Sequence, residues 1–287
     1  MSQINAPKSS STPVTAPARR IAHRTRGRAH GPITRLMSPS DELGEMLKPF
    51  VFLDLFDTDK ASFTGTNLHP HSGIATVTYL FEGSVKYEDT TGMTGTFSEG
   101  GVEWFKAGGG AWHGGGPGDD PRMRGFQLWV ALPPEHELGP VESIYLPADS
   151  VERDGPVSAI VGKYGNAKSS LVAPASMNYL AVRLKAGETW RYQPPADHDV
   201  AWIAVEKGRL TTPETVEPGE LVAFEPSNEA ISFSAETDVE FVLGSACKHP
   251  HDLVLGYYSV HTSPSSLQEG ERQIAEIGTR LKRDGRL

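Results

Sequence analysis

The segment "HPHSGIATVTYLFEGSVKYEDTTG" (residues 69–92) places two histidines directly before two short runs of β-forming residues. β-branched and aromatic residues dominate both runs, and glycine-containing turns end them. Runs of the same kind follow one another from about residue 49, separated by clusters of Gly, Pro, Asp and Asn. This rhythm predicts an all-β sandwich or barrel.

The second half of the chain repeats the outline of the first. In each half a strand ends in Glu-Gly or Lys-Gly ("LFEGSV", "VEKGRL"), and a glycine turn precedes a later strand ("SEGGVEWF", "EPGELVAF"). This repetition favours a duplicated barrel. When the halves are aligned on these glycines, the histidines of the first half are replaced in the second by Gln193, Pro195 and Ser232. We therefore expect a metal site in the first barrel only.

The two ends of the chain differ from its β-rich body. Residues 1–18 are rich in Ser, Thr and Pro and lack the material for a core, so we expect a disordered arm there. Residues 19–150 are assigned to an N-terminal barrel, and residues 151–287 to a C-terminal barrel with a closing helix. The signals for that helix are an N-cap, a first-turn proline and an apolar face, at Ser263, Pro264, Ile274, Ile277 and Leu281. A shorter helix is predicted within residues 38–47.

Composition and charge restrict the function. The 287-residue chain has a formal net charge of −9, to which the first 40 residues contribute +7, so the remainder carries −16. An acidic body repels nucleic acid, and direct nucleic-acid binding is not expected. The sequence has no apolar run of membrane-spanning length and no apolar core of a secretory signal, so we expect a cytoplasmic protein. A transit peptide is the alternative interpretation of the Arg-rich start. The single cysteine, Cys247, is interpreted as a buried thiol, and it excludes a Cys-rich zinc site.

Three histidines are the candidate metal ligands. Side chains on a strand repeat every two residues, so His69 and His71 point to the same side and reach one ion. His113 ends the glycine-rich segment "AGGGAWH", where a returning strand brings it alongside. Three neutral imidazoles suit iron, nickel, copper, manganese or zinc and leave coordination positions open. The alternative is that these are ordinary core or surface histidines with hydrogen bonds to satisfy.

Longer motifs resemble those of the pirin family, a branch of the cupin superfamily. They are "HPHSGIATVTYLFEGSVKYEDTTG", "GGVEWFKAGGGAWHGG" and "GFQLWVALP", and the resemblance covers nearly the whole chain. It implies two cupin-type β-barrels (double-stranded β-helices). It also implies a non-haem iron or similar metal in the first barrel, held by the HPH pair, the histidine after the glycine-rich turn and a glutamate two residues later. His69, His71 and His113 match those ligand positions.

Two expected carboxylates are absent. Gly115 stands where the family has its glutamate ligand, and Ala75 stands where many cupins place an acidic residue four positions after the HxH pair. A carboxylate ligand removes one unit of the ion's charge and in related enzymes serves as a base. Its loss predicts weaker metal retention, unless an acceptor such as Gln127 supplies oxygen.

Two functions follow from the resemblance. The first is a quercetin 2,3-dioxygenase-like oxidoreductase, which cleaves a flavonol-like diol with dioxygen at the open metal positions. No catalytic base is identified for it. The second is a non-catalytic protein, metal-binding or metal-free, that engages a protein partner in a regulatory role, and Gly115 favours it. Whether the chain is an enzyme stays open at this point.

The surroundings of the site include aromatic residues and further histidines. Trp104, Trp112 and Gln127 are expected to line a pocket for a flat ligand, with barrel core as the alternative for the tryptophans. A second HPH, His249 to His251, and His261 resemble the family's structural crossing segment near the C-terminus. We expect no metal there.

Overall fold

A computed structural model describes residues 19–62 and 65–287 of the chain; the arm predicted at residues 1–18 lies outside the described residues. The first half forms the following elements: β1 (Ile21–Thr25), β2 (Arg28–His30), β3 (Ile33–Met37), α1 (Glu42–Leu47), β4 (Phe50–Asp59), β5 (Thr66–His71), β6 (Ile74–Glu82), β7 (Ser84–Asp89), β8 (Thr94–Ser98), β9 (Val102–Lys106), β10 (Ala111–Pro117), β11 (Arg122–Ala131), α2 (Pro134–Glu137) and β12 (Glu142–Leu146).

A 3₁₀ turn at Ala148–Ser150 leads into the second half. Its elements are β13 (Arg153–Asp154), β14 (Val157–Val161), β15 (Lys163–Tyr164), β16 (Ala167–Lys168), β17 (Met177–Leu184), β18 (Thr189–Tyr192), β19 (Val200–Lys207), β20 (Leu210–Thr212), β21 (Glu214–Val216), β22 (Leu221–Phe224), β23 (Ile231–Ala235), β24 (Val239–Ala246), β25 (Val254–Gly256), β26 (Ser259–His261) and α3 (Pro264–Arg283). The closing helix begins where predicted, because the Ser263 side chain accepts a hydrogen bond from the Ser266 backbone N–H.

Each half consists of a large and a small antiparallel sheet with the same strand order. The large sheets contain β9-β6-β11-β4 in the first half and β22-β19-β24-β17 in the second. The small sheets are β5-β10-β7-β8 and β18-β23-β20-β21. The predicted all-β fold of two barrels with a C-terminal helix is confirmed.

The two large sheets share one apolar core. Side chains alternate between the faces of a strand, and in β6 the residues Ala75, Val77, Tyr79 and Phe81 all join a cluster that also contains residues of the second barrel. The Phe50 and Trp202 rings meet there edge to face at 5.5 Å. Both faces of the central strands are therefore covered, which explains why β6 is buried almost throughout.

The interiors of the two barrels differ. In the second barrel, one continuous apolar cluster that includes Trp190, Phe233 and Phe241 fills the space between its sheets. In the first barrel, the described apolar residues inside form three smaller clusters. Polar side chains and a cavity lie between these clusters. The first barrel is therefore the one with room for a ligand.

Each end of the chain packs on the barrel that is more distant in sequence. β1 pairs with β22 of the second barrel, and the Arg19 guanidinium donates hydrogen bonds to the backbone oxygens of Glu225 and Asp199. At the other end, α3 packs against β10 of the first barrel, where the Trp112 indole N–H donates to the Ile274 carbonyl at 2.9 Å. The halves are thus tied together by both termini of the described chain.

One expectation about a side chain is wrong. Cys247, interpreted from the sequence as a buried thiol, is exposed. It directly follows the last residue of β24, where the chain leaves the barrel core. In the described residues, no helix is long and apolar enough to cross a membrane.

An arginine at the interface between the barrels provides a test of this packing. Arg124 on β11 forms ion pairs with Glu82 and with two carboxylates of the second barrel, Glu206 and Glu240. Burial raises the pKa of Glu206 despite the arginine beside it. Removing Arg124 therefore leaves a buried carboxyl that must stay unpaired or take up a proton.

We expect Arg124→Met to lower the free energy of unfolding by about 3 kcal/mol, measured by urea denaturation. Arg122→Met is the matched control, because Arg122 lies on the same strand and pairs with Asp57 at the surface. Its loss should be at most about 1 kcal/mol. Equal losses in the two variants would contradict the assigned role of Arg124.

Candidate metal centre

The pairing of β5 with β10 brings the three histidines together. His69 lies directly opposite His113, and His71 lies opposite Ala111 two residues further along. All three side chains point into the barrel, and their ligand nitrogens lie within 4.8 Å of one another. The ring centroids are 4.7 to 5.0 Å apart. In residues 19–62 and 65–287 this is the one cluster of potential metal ligands.

Each imidazole has an oxygen acceptor at Nδ1. The acceptors are the Asn67 carbonyl for His69 at 2.9 Å, the Tyr258 carbonyl for His71 at 3.0 Å, and the Glu103 carboxylate for His113 at 3.0 Å. An acceptor at Nδ1 places the proton on that nitrogen and leaves the Nε2 lone pair free. The Nε2 atoms of His71 and His113 are buried and have no hydrogen-bond partner among the described residues.

These features fit a divalent transition metal. Buried polar atoms are normally hydrogen-bonded, so two convergent nitrogens without a partner require an explanation. An ion bound by three imidazole nitrogens would supply the missing partner at each Nε2. His69, His71 and His113 are the residues that would hold it.

The pKa values agree with neutral imidazoles. Burial, together with the neighbouring His113, lowers the pKa of His69 to about 4, although the Asn67 carbonyl and Glu103 oppose the shift. Burial also lowers the pKa of His71 well below its usual 6.5. Both rings are therefore neutral at physiological pH, as metal ligands must be.

Glu103 is a residue of the candidate site that the sequence analysis missed. It lies on β9, faces the barrel interior and is buried. Burial opposes its ionisation, but contacts with His113 and with the Thr78 hydroxyl bring its pKa below the ordinary value. The sequence did contain a signal for this residue, because the two-residue period of "VEWF" puts Glu103 and Phe105 on one face of the strand. In the structure that face points to the site, where Phe105 stacks on the His113 ring at 4.4 Å.

The C-terminal hairpin reaches the same site. Tyr258, between β25 and β26, adopts φ 55° and presents its carbonyl to His71. The close approach depends on Gly73, whose φ is 73° and where a Cβ would lie 2.0 Å from the Val260 carbonyl oxygen. The segment expected to be only structural therefore contributes to the candidate centre. Its own histidine, His261, has Glu137 and Ser72 as neighbours.

Two spaces meet at His69. An inner cavity of about 100 Å³ lies within the barrel and is lined by His113, Glu103, Thr78 and Gln127, among others. On the other side is an outer cleft, which we call the vestibule, of about 710 Å³. Residues of β3, β4, β11 and the C-terminal hairpin line the vestibule, including Arg35, Asp54, Trp129 and Tyr258. His69, Asp54 and Gln127 border both spaces.

The three residues expected to line a pocket are placed differently. Gln127 borders both spaces. Trp104 lies in the core between the large sheets, with its indole N–H donating to Glu142 at 2.9 Å. Trp112 faces outward against α3. Strand alternation is the reason, because each tryptophan adjoins a residue that points inward, Glu103 or His113.

The position of the absent family glutamate is closed to any side chain. Gly115 pairs with Tyr87 of β7, and a Cβ on Gly115 would lie 2.6 Å from the Lys86 carbonyl oxygen. That oxygen belongs to the backbone and cannot rotate away. Glycine is therefore required by the packing of β10 against β7.

We expect Gly115→Glu to leave the metal affinity at or below that of the unmodified protein, and to lower the free energy of unfolding by about 1–3 kcal/mol through overpacking. Gly115→Ala is the matched control, because it adds the same Cβ without a carboxylate and should be similarly destabilised. Chelator competition and urea denaturation measure the two effects. An increase in affinity for Gly115→Glu alone would show that a ligand can be accommodated there.

The metal-free protein should lose stability in acid through its buried histidines. Unfolded histidine has a pKa of about 6.5, whereas burial lowers the pKa of folded His69 to about 4 and that of folded His71 well below its usual value. Between these values the unfolded state binds protons that the folded state does not. The free energy of unfolding therefore falls as the pH drops below about 6.5, until the folded pKa is reached.

We expect the Tm of the metal-free protein to decrease between about pH 7 and pH 5, and to decrease less in a His71→Asn variant, which lacks the buried imidazole. Calorimetry in parallel buffers measures the difference between the two decreases. Identical decreases would show that His71 is not held neutral by its surroundings.

Comparison with known proteins supports this description. The Pirin family model matches residues 33–130. A pirin-like protein of Caulobacter vibrioides is 32% identical over 221 residues, covering 74% of this chain and 79% of its own.

Two solved structures share the fold. Quercetin 2,3-dioxygenase from Acinetobacter baumannii has a TM-score of 0.77 at 23% identity, covering 93% of this chain and 96% of its own. The bacterial pirin YhhW from Escherichia coli, solved in complex with nickel(II), has a TM-score of 0.63 at 21% identity, covering 80% and 98%. The predicted two-cupin architecture is confirmed, and the chain belongs to the pirin family.

Proposed function

We propose that the chain is a metal-dependent dioxygenase of the quercetinase type, which cleaves a flavonol-like diol with dioxygen. The observation that carries the proposal is the convergence of three imidazoles, two with buried and unpartnered Nε2 atoms, where an inner cavity meets an outer vestibule. A structural role for these histidines would not require free nitrogens at such a junction. The quercetin dioxygenase among the solved structures of the same fold supports the substrate class.

His69, His71 and His113 would hold the ion through Nε2. Iron is the ion we propose, and nickel, copper, manganese and zinc are the alternatives that metal analysis distinguishes. When bound, the ion would supply Lewis-acid activation and open positions for the diol oxygens and dioxygen. The acceptors at Nδ1 hold each ring in orientation for this task.

The sizes of the two spaces support one placement of the reactants. Small-molecule sites in proteins usually measure about 300–1,000 Å³, so the inner cavity of about 100 Å³ is too small for a three-ring flavonol. The vestibule of about 710 Å³ is large enough. We therefore place the aromatic substrate in the vestibule against Trp129 and Tyr258, with its oxygens directed at His69. The inner cavity is left for dioxygen.

Other vestibule residues would orient the substrate. Trp129 stacks on Phe52 at 4.1 Å, and the Arg35 guanidinium covers the opposite side of that stack at 4.1 Å from the Phe52 ring. Arg35 is itself fixed by two hydrogen bonds to Asp54. This layered wall offers a flat apolar surface beside polar groups that can bind hydroxyls.

An oxygen-uptake experiment tests the proposal. Protein purified without a histidine tag, stripped of metal and reloaded with Fe(II), should consume dioxygen with a panel of flavonols, in equal amount to the flavonol lost. His71→Ala should lose both bound metal and uptake. His251→Ala is the matched control, because His251 belongs to the second HPH, outside the cluster of ligands, and should retain both.

The outcome distinguishes the two functions. If protein loaded with each of the five metals consumes no oxygen with any flavonol, the enzymatic proposal is rejected. A binding or regulatory role would then be the better explanation of the site.

A further inference from the structure

Glu103 occupies an unusual place beside the three histidines. Its side chain is only 7% exposed and both of its carboxylate oxygens are engaged. Oε1 accepts from His113 Nδ1 at 3.0 Å, and Oε2 accepts from the Thr78 hydroxyl at 2.6 Å. The Tyr145 hydroxyl lies 3.5 Å from Oε1. The carboxylate is therefore held in one orientation from several sides.

His113 is fixed in two directions by its neighbours on β9. Glu103 binds the edge of the imidazole at Nδ1, and Phe105 covers its face, with the ring planes within 2° of parallel. The free Nε2 of His113 consequently points away from Glu103. His69 and His71 have backbone carbonyls at Nδ1 instead, so His113 is the one histidine of the described cluster that is supported by a charged group.

A negative charge beside the histidines would offset part of the charge of a bound ion. Three neutral imidazoles leave a divalent ion with its full charge, whereas a carboxylate ligand would remove one unit. Gly115 cannot be replaced by such a ligand because the Lys86 carbonyl closes the space. A carboxylate hydrogen-bonded to a ligating histidine increases the basicity of that ligand and offsets part of the ion's charge without occupying a coordination position.

We propose that Glu103 is a positioning residue that compensates for the missing carboxylate ligand without itself binding the ion. It does so by orienting His113 and by balancing the charge of the ion. The proposal rests on the metal site of the proposed function. It differs from the ligand set implied by the family resemblance, because the carboxylate comes from β9 and not from the residue two positions after the histidine. The coordination position that a glutamate would have filled stays available to substrate or solvent.

Metal affinity of the stripped protein tests this role without reference to catalysis. The dissociation constant for Ni(II) or Zn(II) is measured by competition with a chromophoric chelator. Glu103→Gln keeps the size of the side chain and removes its charge, and we expect it to weaken binding by about 10–100-fold. The visible absorption of the Ni(II)-loaded variant should also shift, because the ligand field that His113 exerts on the ion changes.

The matched control is Glu206→Gln, another buried glutamate, which pairs with Arg124 between the barrels and touches none of the histidines. It should lower the Tm and leave the metal affinity within about twofold of the unmodified protein, which separates loss of stability from loss of the charge. If Glu103→Gln fails to fold, Thr78→Val should weaken binding by about fivefold, because it removes the second hydrogen bond to Glu103 together with the long contact of Gln127 Nε2 at 3.5 Å.

The results separate the two proposals. A folded Glu103→Gln variant that binds metal as tightly as the unmodified protein overturns the role of Glu103 and leaves the metal site intact. The same holds for unchanged affinity in Thr78→Val if the glutamine variant does not fold. A stripped, unmodified protein that binds none of the metals rejects the metal site itself, and with it both proposals.

Discussion

The register between β5 and β10 is the constraint on which the candidate centre depends. It sets His69 opposite His113 and places His71 on the same face. Because side chains alternate, a shift of one residue in either strand would turn its histidines out of the barrel. The neighbouring pairing of β10 with β7 fixes the same register from the other side, and Gly115 is the residue that lets these strands approach. The feature that removes the expected glutamate thus also holds the histidines in place.

The two barrels differ in where their apolar side chains are buried. The shared core between the large sheets stabilises both barrels, so neither depends entirely on its own interior. The second barrel nevertheless fills its interior with aromatic and aliphatic side chains. The first leaves space there and buries polar groups, among them Glu103 with its partner His113 and the free ligand nitrogens of His71 and His113. One copy of the fold therefore has a filled apolar interior, and the other keeps the space and the polar groups that a ligand would need.

Much of this arrangement was predictable from the sequence. The runs of β-forming residues, the duplicated glycines and the Ser263-Pro264 helix start indicated the fold, and the HPH spacing indicated the shared face of two ligands. Trp104 and Trp112 were misplaced because the alternation that relates His69 to His71 was not applied to them; it would have pointed to Glu103 instead. The contribution of Tyr258 was not predictable, since its contact with His71 is made by a backbone carbonyl, 187 residues away in the sequence.

That long-range hydrogen bond has a consequence for biosynthesis. The eleven described strands of the first barrel's two sheets all end by Leu146, but the acceptor that orients His71 is in the hairpin before α3. A nascent chain leaves the ribosome with its N-terminal part first. During most of synthesis, His71 therefore lacks the oxygen that sets its tautomer. Uptake of the proposed ion would thereby be coupled to completion of the polypeptide, and a prematurely terminated chain would lack a fully oriented set of histidines.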